Sequence, residues 1–275
     1  MTNTPILVIG ASGKVGRRVV ANLAAMNRAT RPVGRRTALP FDWQDRSNWA
    51  QHFAGVETAF VAYYPDLAAP QGADDIAALA EIAKAAGLKR MVLLSGRGES
   101  GAVRAENVLR NSGLGYTVLR AAFFNQNFSE GLMYPGVMGG VIALPAGMCA
   151  EPFVDVGDIA EIAAFALTDD RHHNQLYELT GPRLLTFADA VAEISAASGR
   201  TVTYAPISLD DFHAAMAGEI GPDDATLYTE LFRELFDGRN ESLTDGVQQA
   251  LGRSPRDFAD YCRGVVRSGG WAEAA

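Results

Sequence analysis

Residues 5–20 constrain the fold more than any other part of the chain, because an apolar strand there breaks on glycines and resumes as a helix. Gly10, Gly13 and Gly16 stand at a G-x-x-G-x-x-G spacing within this segment. In such a turn the first glycine permits the bend, the second lets backbone N–H groups approach a phosphate, and the third allows close helix-to-strand packing. The segment therefore predicts the first strand–helix unit of a nucleotide-binding sheet.

The backbone of this turn is the predicted site of a pyrophosphate. We expect N–H groups of Ser12, Gly13, Lys14 and Val15 to bind it at the N-terminus of the following helix, with Lys14 adding positive charge. The spacing differs from the G-x-G-x-x-G of conventional dehydrogenases, and glycine trios also occur at purely structural corners. The position of this trio in the first strand–helix unit favours the nucleotide interpretation.

Charge is distributed unevenly along the chain, and the asymmetry indicates which dinucleotide is bound. Residues 1–41 contain seven Lys or Arg and no Asp or Glu. An acidic residue about 20 positions after the glycines would bind the ribose hydroxyls of NAD, whereas an arginine accommodates the 2′-phosphate of NADP. Arg35 and Arg36 follow a predicted strand over residues 29–33 and stand at that place. NADP(H) is therefore favoured, although two solvated turn arginines would give the same pattern.

Composition indicates a soluble unit of enzyme size, with 275 residues, 48% hydrophobic residues and a net charge of −8. Residues 42–275 contain 17 basic and 32 acidic side chains, which disfavours nucleic acid and anionic membranes as partners. No apolar run reaches the roughly 18 residues that span a bilayer, and a secretory pattern is lacking, so a cytoplasmic location is expected. Cys149, Cys262 and the four histidines show no disulfide or metal spacing, so no metal site is predicted.

The first half of the chain alternates predicted strands and helices, which is the pattern of a doubly wound parallel sheet. Its strands are continuous apolar runs, as expected when helices cover both faces. Ligands of such sheets bind beyond the carboxyl ends of the strands. Tyr63, Ser95, Ala121 and Phe123 each follow or end a predicted strand, so we expect them to line one crevice. The predicted fold class is α/β of the Rossmann type.

The second half predicts a smaller, mainly helical lobe. We place the dinucleotide-binding domain at residues 1–150 and the substrate lobe at residues 151–275, packed closely against each other. Asp158 is expected to N-cap a helix that ends near Leu167. For Asp158 and its neighbour Asp155, capping and loop anchoring are favoured over acid–base chemistry.

An ordered set of short motifs along the chain resembles that of the NmrA-like atypical short-chain dehydrogenases/reductases. The motifs that carry the resemblance are Gly10-Ala-Ser-Gly13-Lys-Val-Gly16, Phe41-Asp42-Trp43, Met91-Val-Leu-Leu-Ser95, Ala105-Glu106-Asn-Val-Leu109, Tyr116-Thr-Val-Leu-Arg120, Phe123-Phe-Asn125-Gln-Asn127-Phe128, Phe153-Val-Asp155-Val-Gly-Asp158 and Leu179-Thr-Gly181. The segment 243–258 is most similar to the branch that contains agroclavine and festuclavine dehydrogenases and their bacterial relatives. The resemblance implies NADP(H) binding and, in many members, hydride transfer to an organic acceptor.

One departure from ordinary short-chain dehydrogenases bears on the chemistry. Those enzymes use a Tyr-x-x-x-Lys pair that exchanges a proton with the substrate oxygen. The lysines of this chain are Lys14, Lys84 and Lys89, and none lies four residues after a tyrosine. We therefore expect an acceptor that depends little on acid catalysis, such as an iminium, a quinone or a related natural-product intermediate. No catalytic residue is nominated.

Candidate residues on the substrate side are Arg97, Asn125 and Phe153, next to Phe123. Arg97 is equally well explained as a surface-loop residue, and Asn125 as one that ties down its loop through side-chain hydrogen bonds. Glu106 is expected on a helix surface or as a loop anchor rather than as a base.

The expected partner is a small organic molecule, and the sequence leaves the oligomeric state open, a homo-oligomer included. Two alternatives to a reductase stay open at this point. One is a non-catalytic NADP(H)-sensing regulatory protein, since some relatives act in this way. The other is a non-redox enzyme that keeps the dinucleotide as a scaffold.

Overall fold

A computed structural model describes residues 4–272, and its centre is a six-stranded sheet. The strands are β1 (Ile6–Ile9), β2 (Thr30–Val33), β3 (Thr58–Val61), β4 (Arg90–Gly96), β5 (Gly115–Ala121), β6 (Val141–Leu144), β7 (Ala150–Glu151), β8 (Gln175–Leu179), β9 (Leu185–Thr186) and β10 (Thr203–Pro206). The α-helices are α1 (Gly16–Ala25), α2 (Trp49–Phe53), α3 (Gly72–Ala85), α4 (Ser100–Asn111), α5 (Asn127–Glu130), α6 (Tyr134–Gly139), α7 (Val156–Ala166), α8 (Phe187–Ser198), α9 (Leu209–Ile220), α10 (Pro222–Leu235), α11 (Gly246–Leu251) and α12 (Phe258–Arg267).

The central sheet has the strand order β2-β1-β3-β4-β5-β8, and every neighbouring pair is parallel. The chain leaves β1 towards β2 on one side and returns to β3 on the other, so the order reverses at β1. Ligands of open α/β sheets bind at such a reversal, beyond the carboxyl ends of the strands. The predicted Rossmann-type α/β class is therefore confirmed.

Alternate residues of the strands supply two separate cores, one on each face of the sheet. In β1, Ile6 and Val8 pack into the core that contains α1 and α7. Leu7 and Ile9 pack into the core that contains α2, α3 and α4. All four side chains are buried, which explains why the strand reads as an unbroken apolar run.

A third core holds the other lobe together and is rich in phenylalanine. The Phe153 ring contacts the Phe187 ring edge to face, with centroids 5.2 Å apart, and Phe128 packs against Phe258 in the same way at 5.4 Å. The predicted boundary at residue 150 does not separate the central sheet from the other lobe. Two elements after that boundary belong with the sheet, because α7 packs on α1 and β8 pairs with β5. No helix within residues 4–272 is long and apolar enough to cross a membrane.

Asp155, and not Asp158, caps α7. The Asp155 carboxylate accepts a hydrogen bond of 2.6 Å from the Gly157 N–H, and its backbone is extended, as N-cap geometry requires. Asp158 lies inside the first turn, fully buried, and accepts from Arg253 Nη2 at 2.7 Å and from the Arg256 N–H at 2.8 Å. The expected cap position was wrong by one helical turn, whereas the expected anchoring role of Asp158 agrees with these contacts.

These two aspartates should differ in their effect on the free energy of unfolding. Asp155→Ala removes a cap and is expected to cost about 1 kcal/mol. Asp158→Ala leaves two arginines without their carboxylate and is expected to cost about 2 to 3 kcal/mol. This loss is smaller than for a fully buried ion pair, because Arg253 and Arg256 are partly exposed and both still pair with Glu161. Urea unfolding measures both, and equal losses would contradict the assignment.

Candidate active site

The glycine turn between β1 and α1 is fixed by backbone contacts. Gly10 has a φ of +81°, a conformation that side chains disfavour. A Cβ added at Gly16 would overlap the Gly10 carbonyl oxygen, so α1 can begin directly against the turn only with a glycine there. The N–H groups of Gly10 and Ala11 both donate to the Val33 carbonyl, at 3.0 and 3.1 Å, which ties the turn to the end of β2.

Three backbone N–H groups of this turn are available to a ligand. Within residues 4–272, those of Ser12, Lys14 and Val15 have no acceptor. The fourth expected donor, Gly13, instead bonds the Gly10 carbonyl at 2.9 Å. The free groups lie just before the N-terminus of α1, where the helix dipole adds positive potential. The turn is therefore an anion-binding arrangement.

Of the basic side chains near the turn, two form ion pairs with a carboxylate and one lines a cavity. Arg18 donates to Glu130 at 2.7 Å, and Arg17 is paired with the same carboxylate. Lys14 is half-buried beside Gly131, and its burial lowers the pKa of its ammonium group. Its side chain lines the cavity beyond the turn.

Arg35 and Arg36 lie in the exposed turn that follows β2. The Arg35 guanidinium lies 3.8 Å above the Tyr64 ring centroid. Within the described range neither arginine pairs with a carboxylate, so both charges are free to meet an anion. Arg35 lines the larger cavity described next, whereas Arg36 contributes to neither cavity.

Two adjoining cavities follow the carboxyl ends of the strands. The outer cavity, of about 1190 Å³, begins at Arg35 and passes Trp43, Tyr64 and Arg104. The inner cavity, of about 460 Å³, is lined among others by six predicted site residues. These are Lys14, Tyr63, Ser95, Arg97, Ala121 and Phe123. Tyr63, Pro65 and Leu231 border both cavities, so the two adjoin along the sheet edge, and together they are called the crevice below.

Tyr63 is a fixed wall of this crevice. Its hydroxyl donates to Asp75 Oδ2 at 2.6 Å, and Arg46 holds the other carboxylate oxygen at 2.5 Å. Its ring packs on Trp43, with the centroids 4.5 Å apart. Burial and the bond to Asp75 raise the pKa of the phenol, so it stays protonated. The catalytic tyrosine of a short-chain dehydrogenase needs a lowered pKa, whereas the pKa of Tyr63 is raised.

Ser95 and Arg97 are engaged in a network of buried charges. The Ser95 hydroxyl donates to Glu106 at 2.6 Å, and Arg120 donates to the same fully buried carboxylate at 2.5 Å. Arg97 donates to Glu178 at 2.7 Å as well as to the Asn240 carbonyl and the Ser242 hydroxyl. Of the two predicted roles for Glu106, the structure supports the anchor, because its carboxylate is buried rather than on the helix surface. Arg97 is buried, so the surface-loop interpretation is wrong.

The remaining substrate-side candidates differ in whether they reach the inner cavity. Phe123 lines the inner cavity, while Phe153 is buried behind it, edge to face at 6.1 Å, and does not reach the cavity wall. Asn125 is fully buried, and its side-chain amide has no hydrogen-bond partner within residues 4–272. Its backbone N–H, rather than its side chain, ties the loop to Val154, at 2.9 Å.

Three carboxyl groups also line the inner cavity: Asp66, Glu99 and Glu151. None of them was predicted, because they come from three separate loops or strand ends and form no sequence motif. Asp66 and Glu99 share a hydrogen bond, and burial raises the pKa of both. Burial also raises the pKa of Glu151 to about 8, although the nearby Arg97 cation opposes this.

Glu151 gives a pH-dependent prediction. The folded protein keeps a proton on Glu151 that the unfolded chain loses near the ordinary value of 4.5. The free energy of unfolding therefore falls as pH rises from about 4.5 to about 8. Glu151→Gln, which stays neutral, should gain stability over wild type across this range, by on the order of a few kcal/mol at pH 8. Urea unfolding at several pH values measures the gap, with the exposed Glu81→Gln as control. A gap that does not change with pH would contradict the prediction.

A model of the NmrA-like family matches residues 2–252 of the chain. The NAD(P)H azoreductase of Xenophilus azovorans is 32% identical over 286 residues, which cover 94% of this chain and 96% of the azoreductase. The agroclavine dehydrogenase of Claviceps fusiformis is 29% identical, with 93% of this chain and 95% of that protein covered. The resemblance inferred from the motifs is therefore confirmed.

Solved structures support the fold. The triphenylmethane reductase of Citrobacter sp., complexed with NADP(H), aligns with a TM-score of 0.76 and 21% identity. The alignment covers 94% of this chain and 99% of that protein. Since the family model spans nearly the whole length and the relatives align from end to end, this chain belongs to the NmrA-like family.

Proposed function

We propose that this protein is an NADP(H)-dependent reductase that transfers hydride to an electrophilic small organic acceptor. The observation that carries the proposal is the pair of adjoining cavities at the carboxyl ends of the strands. The outer cavity is lined by the unpaired Arg35, and the inner cavity is lined by Lys14 of the glycine turn and by apolar side chains of α9 and α10, with room for a second molecule. A site that only held a dinucleotide would not need that second space.

Groups in and beside the two cavities fit the parts of a dinucleotide. The N–H groups of Ser12, Lys14 and Val15 would hold the pyrophosphate. Arg35 and Arg36 would meet the 2′-phosphate at the mouth of the outer cavity. When bound, the reduced cofactor supplies a hydride at the nicotinamide end, which we place in the inner cavity.

The inner cavity is suited to a flat organic acceptor. Helices α9 and α10 cover it with apolar side chains, namely Met216, Ile220, Leu231, Phe232 and Leu235. Phe123 forms part of the facing wall, beside the end of β5. A volume of about 460 Å³ lies within the range of small-molecule sites, roughly 300 to 1,000 Å³. The relatives reported above are named for azo compounds, agroclavine and triphenylmethane compounds, which also points to aromatic acceptors.

The geometry narrows the substrate-side candidates. Phe123 remains a proposed wall residue, whereas Phe153 would act only by supporting it. The donors of Arg97 are already used by Glu178, Asn240 and Ser242, so we propose that it fixes the cavity wall. Asn125 is fully buried and lines neither cavity, so we do not place it against the acceptor, although its amide has no partner among the described residues.

A cytoplasmic location remains part of the proposal. Cys149 and Cys262 are both free and buried, as is common for proteins of a reducing compartment.

Replacing both turn arginines tests the choice of dinucleotide. Arg35→Gln/Arg36→Gln should weaken NADPH binding roughly 10- to 100-fold and leave NADH binding nearly unchanged, because a charge-assisted contact contributes about 1.5 to 3 kcal/mol. Isothermal titration calorimetry measures both affinities, with the exposed Arg28→Gln as matched control. Equal losses for NADPH and NADH would contradict the assignment.

Turnover separates the reductase from the NADP(H)-sensing alternative. We expect oxidation of NADPH, followed by absorbance, with at least one of three acceptors: a cationic triphenylmethane dye, a neutral azo dye and a quinone. Gly16→Ala should abolish both binding and turnover, since its Cβ displaces the Gly10 carbonyl. Gly218→Ala, at an open helical position, should change neither. Tight NADPH binding with no turnover of any acceptor would favour the sensor.

A further inference from the structure

We propose that the Asp66–Glu99 carboxyl pair is the proton donor of the inner cavity. The acceptor would then be a neutral molecule with a polarised double bond that takes up both a hydride and a proton. This inference rests on the proposed reductase function and adds to it a source of protons and a substrate class. The missing Tyr-x-x-x-Lys pair had favoured acceptors that need no acid.

Glu99 lies at the end of the crevice where the hydride would be delivered. It occupies the turn between β4 and α4, and its carboxyl group folds over Gly96, where any added Cβ would overlap it. Gly96 is the last residue of β4 and pairs in register with Ala121, the last residue of β5. Both strand ends line the inner cavity. The carboxyl group therefore borders the space that we assign to nicotinamide and acceptor.

The surroundings of the pair favour a proton on Glu99 rather than on Asp66. Two carboxyl groups in contact cannot both be ionised at neutral pH, so one proton lies between them. Asp66 Oδ1 already accepts from the Ala68 N–H at 2.8 Å, which favours negative charge on Asp66. The charged groups that act on Glu99 are Asp66, Glu234 and Glu106, all carboxylates, and Glu99 itself is buried. Burial and these charges keep the pKa of Glu99 well above its usual range.

A second carboxyl group independently points to a ligand. Glu151 is only 1% exposed and lines the same cavity, and its Oε1 atom has no hydrogen-bond partner within residues 4–272. A buried polar atom without a partner is costly, and a ligand in the cavity would satisfy it. With a pKa of about 8, Glu151 is mostly protonated at pH 7 and can donate to a carbonyl or azo acceptor atom. A neutral polar acceptor therefore matches this cavity.

Hydride transfer and protonation together reduce the acceptor by two electrons. Hydride adds to one atom of the acceptor double bond, and the π electron pair of that bond moves to the other atom. The O–H bond of Glu99 breaks, and its proton forms a new bond with that second atom. Glu99 is left as a carboxylate and regains a proton through Asp66, which is half-buried and closer to solvent. The product is the neutral, doubly reduced acceptor.

Glu99→Gln tests this role because glutamine keeps the shape and the hydrogen bond but carries no acidic proton. With a neutral azo dye, kcat should fall about 10²- to 10⁴-fold, the range for loss of a general acid. With a cationic triphenylmethane dye, which becomes neutral on receiving hydride alone, kcat should change less than about threefold. Glu81→Gln, an exposed carboxylate on α3, is the matched control and should change neither rate.

Two further readouts do not depend on the rate with one dye. The infrared spectrum of the protein without cofactor at pH 7 should contain a protonated-carboxyl band that weakens in Glu99→Gln and persists in Glu81→Gln. Asp66→Asn removes the negative neighbour, so the pH above which the rate with the azo dye declines should move down. An unchanged infrared band in Glu99→Gln would overturn the proposal.

The kinetic outcomes also separate this inference from the reductase assignment. Equal rates of wild type and Glu99→Gln with the azo dye would overturn the proton-donor role, as would a wild-type protein that reduces only the cationic dye. In both cases the reductase assignment stands. Oxidation of NADPH with neither dye nor a quinone would contradict the assignment itself.

Discussion

The close contact between Gly16 and the Gly10 carbonyl is the constraint on which the site depends. Because no side chain fits there, α1 starts directly against the carboxyl end of β1, and the positive end of its dipole lies at the glycine turn. The same turn takes its shape from two hydrogen bonds to the Val33 carbonyl, which hold the Arg35 turn beside it. One backbone arrangement therefore sets both the phosphate donors and the arginines that would recognise a 2′-phosphate.

Buried charges fix the other end of the crevice. Glu106, Arg120, Glu178 and Arg97 form a chain of ion pairs from α4 across β5 and β8 to the end of β4. From there Arg97 reaches the Asn240 carbonyl, so the network joins the sheet to the helical lobe. Such pairs contribute little net stability relative to apolar packing, but breaking one is costly. In this protein the ion pairs fix the positions of the elements that form the cavity walls.

The inner cavity combines apolar walls with carboxyl groups whose pKa values are raised by burial. This combination bears on the missing Tyr-x-x-x-Lys pair, since Tyr63 and Tyr228, which both line the cavity, each have a raised pKa. A carboxylic acid in an apolar setting can supply a proton that a phenol of raised pKa cannot. In this proposal the chain uses a different acid from ordinary short-chain dehydrogenases.

The sequence by itself determined the α/β fold, the glycine turn and the family. Each is encoded locally, in apolar runs, glycine spacing and ordered motifs that a chain displays before it folds. It also placed Tyr63, Ser95, Ala121 and Phe123 at one crevice, because parallel strands end at the same edge. Only the tertiary structure decided that Phe153 lies behind the wall, that Arg97 and Glu106 are buried, and that Asp66, Glu99 and Glu151 meet in one cavity. These outcomes depend on contacts between residues far apart in the chain, and the pKa values follow from burial, which no local pattern specifies.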